Sequence, residues 1–153
     1  IFDGEPGQPP PVLSDEAKRS AVRAVGAAIV RTQALHPNLA ALLVVVRAHV
    51  GDLCEEVVLD DSRLFLARLR ELPPHEQDIV LRVLTAAAIV DWRMTSDERR
   101  LLREARAACG RSPELRAAER LCKAFVSGDP IAAAEVGSGS CPAWIASVSR
   151  CKC

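Results

Sequence analysis

Two groups of residues carry whatever chemistry this sequence can do. The first is an acidic pair, Asp91 and Glu98, seven positions apart across "DWRMTSDE". The second is a C-terminal set of hydroxyls and thiols: Ser138, Ser140, Cys141, Ser147, Ser149, Cys151 and Cys153. Two carboxylates suit a divalent cation, since hard cations take oxygen donors. Three thiols suit a disulfide or a soft metal. A Cys151–Cys153 ring would be strained, and Cys141 reaches either partner more easily. A zinc site in the tail would need a fourth ligand, which His36, His49 or His75 could supply only where the fold brings it near. The familiar catalytic patterns do not form. "HEQD" (His75–Asp78) opens like a zinc-protease helix, but Ile79 stands where the second histidine is required. No glycine-rich phosphate loop precedes a helix, and three histidines among many serines give no specific nucleophile–base pair. The expectation is a protein that is not an enzyme.

The acidic pair has a local role before it has a ligand. Thr95-Ser96-Asp97-Glu98 is a capping box, with Thr95 accepting from the Glu98 amide and the Glu98 side chain reaching back. Such a cap contributes about 1 kcal/mol. Asp91 ends the preceding helix, where the helix dipole disfavours an anion by a few tenths of a kcal/mol. A cation, Arg93 or Arg99, or free hydration would offset that cost.

The stretch "LPPHEQDIVLRVLTAAAIVDWRMTSDERRLLREARAACGRSPE" (Leu72–Glu114) resembles the repeat unit of TerB-like domains, a bacterial, all-helical tellurite-resistance family. Members show an apolar helix ending in Ala-Asp-Gly, an acid seven residues after that Asp, then Leu-Leu and a Leu-Gly stop. Here the pattern falls on Asp91, Glu98, Leu101, Leu102 and Gly110; Val90 replaces the Ala, and Trp92 replaces the Gly that lets the turn curl tightly. The companion acidic repeat would fall on "GDLCEEVVLDD" (Gly51–Asp61). The resemblance covers the middle third of the chain. It implies a helical domain with a clustered acidic surface that binds divalent cations or protein partners, with Asp91 and Glu98 as the metal ligands, and it implies no catalysis.

The elements that must position these residues are helices. With 153 residues, 49% of them hydrophobic, the chain is long enough for one domain with a substantial core. "GEPGQPPPV" makes residues 1–13 an extended lead-in. Residues 14–136 then read as a single compact all-α bundle of about six to seven helices. Ser14 caps the first helix and Asn38 the second, which runs to about Val50 or beyond. Asp60 or Asp61 caps a third that buries Phe65, Leu69 and Leu72. Pro74 opens a fourth carrying Ile79, Val80, Val83, Leu84, Ala87 and Val90. Leu101, Leu102, Ala105, Ala108 and Cys109 mark a fifth, stopped by Gly110. "SPE" (Ser112–Glu114) restarts a sixth that buries Leu115, Ala118, Leu121, Cys122 and Phe125. Residues 137–153 form a Gly/Ser junction and a Cys-bearing tail.

Composition removes some functions. Lys+Arg 20 against Asp+Glu 20 supplies no overall positive field, so nucleic acid is not the expected partner. The run "RRLLREAR" (Arg99–Arg106) reads as a solvated helix face. Aromatic residues make up 3%, too few for base-stacking platforms. The longest apolar runs fall short of the ~20 residues that span a bilayer. Cys54, Cys109 and Cys122 lie in helical, apolar contexts as small hydrophobes, and a cytoplasmic location is favoured. The chain opens on "IFDG" without Met, which reads as a processed or trimmed boundary.

The sequence therefore points to a helical binding module acting on a protein partner or a divalent cation. A second class remains open. A helical leader, a Gly-rich junction and a short Ser/Cys tail resemble precursors of ribosomally made modified peptides. There an enzyme dehydrates serines and joins them to cysteine thiolates as thioether rings. A structural accessory domain of a larger protein is the third reading.

Overall fold

The computed structural model describes residues 12–32, 36–50 and 62–128. Six helices run through them: α1 Asp15–Thr32, α2 Pro37–Val50, α3 Ser62–Glu71, α4 Pro74–Ile89, α5 Ser96–Ala108 and α6 Arg116–Ser127. Among the described residues there is no strand, and the all-α bundle expected from the apolar periodicity is what forms. The acidic connector Gly51–Asp61, the lead-in to residue 11 and the tail from residue 129 lie outside the described residues, and with them the caps at Asp60 or Asp61.

Helix α1 is the centre. It packs most extensively on α4 and also touches α2, α3 and α5. Its buried residues are small, Ala17, Ala21, Ala24, Ala27 and Ala28 with Val22 and Val25. Small side chains let helix axes approach closely. The larger pieces come from the partners: Leu39, Leu42, Phe65, Leu69, Leu84, Ile89, Leu101 and Leu102 are essentially inaccessible. Each such side chain removed from water contributes ~1.5–3 kcal/mol. No helix among the described residues is long and apolar enough to cross a membrane.

The helix ends are tied to other helices. Ser14 caps α1 as expected: the Ala17 amide donates to its Oγ at 3.2 Å and the Lys18 amide to its carbonyl at 3.0 Å. The carboxylate that would complete a capping box comes from α4. The Ser14 amide donates to Glu76 Oε1 and the Ser14 hydroxyl to Glu76 Oε2, both at 2.8 Å. Glu76 is 3% exposed, so this bond spans the core boundary between the start of α1 and the start of α4. Buried Gln77 donates to the carbonyls of Leu69 (3.3 Å) and Arg70 (3.4 Å), satisfying the end of α3. At the end of α1, Arg31 donates to Ser62 Oγ at the start of α3 (2.8 Å from Nη2) and pairs with Glu104 of α5 at 3.2 Å.

Two expected helix starts are corrected. His36 caps α2: its carbonyl accepts from Leu39 and Ala40, its Nδ1 accepts from the Asn38 amide at 3.2 Å, and Pro37 takes the first helical position. Asn38 is thereby free to reach across the fold. Helix α6 begins at Arg116, with the Leu115 carbonyl accepting from Glu119 at 2.9 Å. Ser112 closes a local turn instead, its Oγ accepting from Glu114 N at 3.3 Å while its carbonyl accepts from Arg106 Nε. The periodicity also overstates several burials: Ile79, Val90, Ala108, Cys109, Ala118 and Cys122 are only half-buried.

Candidate functional site at the joint between α4 and α5

The chain reverses between Ile89 and Ser96. Helix α4 ends where the Trp92 amide donates to the Ile89 carbonyl at 2.9 Å. The next carbonyl, Val90 O, accepts from the side chain of Asn38 at 2.8 Å, a cap delivered by α2. Asp91 Oδ1 accepts from the Arg93 amide at 3.1 Å. This short turn offsets the cost of an anion at a helix C-terminus. Of the groups that could have excused Asp91, the Arg93 backbone is the one bonded to it.

Trp92 has φ +64°, the left-handed region, and no other non-glycine described residue does. The conformation costs an L-residue ~1–2 kcal/mol. A glycine at this position would take the same backbone free of strain. The indole is 43% exposed, while Met94, two residues on, is buried.

The capping box forms in full. The Thr95 amide donates to Glu98 Oε2 at 2.8 Å, the Thr95 hydroxyl donates to the same oxygen at 2.9 Å, and the Glu98 amide donates to Thr95 Oγ1 at 3.2 Å. What spacing does not reveal is depth. Glu98 is 1% exposed, and its second oxygen, Oε1, is buried with no hydrogen-bond partner. Burial pushes the Glu98 carboxyl above its ordinary value; the Thr95 hydrogen bonds oppose this, the nearby Asp91 charge adds to it and Arg99 subtracts. Burial outweighs the two hydrogen bonds because they serve one oxygen only.

Helix α6 closes the joint from the side. A cleft of about 540 Å³ is lined by Trp92, Met94, Arg99, Glu119, Cys122 and Val126, among others. Arg99 Nε lies 3.5 Å from Glu119 Oε1, within Coulombic range but off the hydrogen-bond direction, so the buried Nε–H is unsatisfied. The half-buried Cys122 thiol is pushed up first by burial and further by Asp91 and Glu98, with Arg99 opposing. It is held as a thiol, the inert form. Cys109 is likewise free, half-buried and raised by burial.

The structure thus brings Asp91 and Glu98 to one joint, half-buried and buried respectively. No group of three or more His, Cys, Asp or Glu placed to hold a metal ion occurs among the described residues. Any cation here would have two protein carboxylates and complete its shell with water, which fits a hard cation better than a structural zinc. The tail candidates Ser138, Ser140, Cys141, Ser147, Ser149, Cys151 and Cys153, together with Cys54, lie outside the described residues.

Sequence reasoning missed Glu76, Asn38 and the handedness of Trp92. The first two act across long separations and leave no local signal. The third had one: a tryptophan in the slot of a turn glycine. Comparison of the chain with protein families, curated proteins and solved structures finds no match.

Proposed function

We propose that this chain is a non-catalytic, TerB-like helical binding module whose working surface is the α4–α5 joint, and that its ligand there is positively charged, a divalent cation of the Mg²⁺ or Ca²⁺ class. One observation carries the reading: a buried carboxylate, Glu98, has one oxygen without a donor and a second carboxylate, Asp91, close enough to raise its proton affinity. An unsatisfied buried acceptor costs about 1–3 kcal/mol, more when charged. A cation between the two acids removes that penalty and the repulsion together.

Two further features support it. The acids, the Leu101–Leu102 pair and the Gly110 stop stand at the positions of the resemblance, and the turn between them has the backbone a glycine would give. The Cys122 thiol near the joint is pushed up by burial, which disfavours its nucleophilic thiolate form. Because Oε1 is closed off from solvent, the cation enters as the joint opens around Trp92, and the strain already stored there lowers the cost of opening.

Calorimetric titration of the full chain with Mg²⁺, Ca²⁺ and Zn²⁺, repeated on Asp91→Asn, tests this. Saturable heat with a hard cation that vanishes in the variant is expected. No heat with any ion would end the cation reading.

A further inference from the structure

The balanced charge of the chain hides a partition. Of the 20 Lys and Arg, only Arg150 and Lys152 fall outside the described residues; of the 20 Asp and Glu, nine do, five of them between Asp52 and Asp61. The helical body is therefore cationic on balance. Three of its arginines, Arg82, Arg106 and Arg111, border an apolar groove of about 390 Å³ between α4 and α6.

The groove exists because short side chains face it from both helices. Thr85 and Ala86 on α4 and Ala117 and Ala118 on α6 leave space that no neighbour fills. Leu81 and Ile89 of α4, with Leu115 and Leu121 at and on α6, supply apolar lining. At the rim stand Arg82, Arg106 and Arg111, against Asp78 and Glu114. Both acids are engaged: Asp78 Oδ1 takes Arg111 Nη2 at 2.9 Å, and Glu114 lies 4.0 Å from Arg116. Arg106 spends its Nε on the Ser112 carbonyl and meets no carboxylate among the described residues; exposed Arg82 meets none either. Among the described residues these two guanidinium groups stand at the rim of the apolar trough without an ion-pair partner.

We propose that this groove docks an acidic amphipathic segment of a partner protein, distinct from the ligand of the α4–α5 joint. An apolar side chain of the partner fills the space over Thr85 and Ala118, and its carboxylates pair with Arg82 and Arg106 in the bidentate geometry that guanidinium groups favour. The charge fits this occupant and not a basic one. An apolar trough without a single aromatic side chain is a poor seat for nucleic-acid bases.

The test is fluorescence anisotropy on the full chain with a labelled helical peptide of about four turns, Leu on one face and Glu on the other. Saturable binding that weakens with added salt is expected. Arg82→Glu should weaken it about tenfold or more, and so should Ala117→Phe, which fills the trough from an exposed position. Both variants should keep the native helical circular dichroism. Asp91→Asn should bind the peptide like the parent, which separates this inference from the cation site. The proposal is overturned if the Glu peptide does not bind, if a Lys-faced peptide binds as well, if Arg82→Glu changes nothing, or if single-stranded DNA binds more tightly than the peptide.

Discussion

Trp92 gives the sharpest test of the backbone at the joint, because two substitutions there lose the same side chain and differ only in their tolerance of φ +64°. Trp92→Ala and Trp92→Gly both forfeit the partly buried indole. Alanine keeps the left-handed penalty of ~1–2 kcal/mol. Glycine escapes it but loses ~0.5–1 kcal/mol of extra unfolded-chain entropy. The glycine variant should therefore be the more stable of the two by about 0.5–1 kcal/mol. At exposed Ala67 in α3, the same exchange to Gly should be destabilising by about 1 kcal/mol. Urea unfolding followed by helical circular dichroism measures all three. If Trp92→Ala equals or exceeds Trp92→Gly, the joint does not have the left-handed turn, and the argument from strain fails with it.

Other outcomes follow from the same geometry. Glu98→Gln keeps the capping-box acceptor but cannot ionise. Because the folded-state carboxyl of Glu98 is raised above its ordinary 4.5, its contribution to stability is full below that value and is lost as pH rises through the folded one. The variant should gain on the parent as pH climbs towards neutrality, and parallel urea-midpoint curves would contradict this. Glu76→Ala should cost about 2 kcal/mol, the worth of hydrogen bonds to a charged group. Ser14→Ala should be strongly coupled to it in a double-mutant thermal-unfolding cycle, whereas additive losses would show that the Ser14–Glu76 contact contributes nothing. Phe65→Ala, at a fully buried site, should cost about 3–5 kcal/mol by the same assay, and a loss near zero would displace Phe65 from the core.

What the sequence made legible was local grammar. The Thr95–Glu98 box closes over three residues, so its pattern and its bonds coincide. Gly110, at φ +66°, stops α5 with the Gly110 amide on Ala107 O and the Arg111 amide on Arg106 O. A helix C-terminus needs only neighbouring residues to do that. The apolar stripes likewise gave six helices, because burial and helical period are linked. Where tertiary partners decide, the pattern misled. Asn38 looks like a cap for its own helix, yet it caps α4, 52 residues away. Ser112-Pro113-Glu114 has the letters of a helix start, but its serine is spent on a local turn.

The site was half legible for the same reason. Spacing put Asp91 and Glu98 at one turn, but only packing takes Glu98 out of water and leaves its Oε1 alone. The chain's neutral sum argued only against an overall positive field, whereas the described helices hold nearly all the cations and barely half of the acids. A net charge is a total, and docking responds to its distribution.

The central claim is that the Glu98 carboxylate is held without enough positive charge around it. Carbon-13 NMR of the Glu98 carboxyl across a pH titration, with and without Ca²⁺ or Mg²⁺, tests it most directly. The carboxyl should titrate above the ordinary glutamate range in the metal-free protein, and saturating cation should move that titration down, because a bound cation favours the ionised form. A Glu98 that titrates in the ordinary range, or one whose titration is untouched by either ion, would contradict the account.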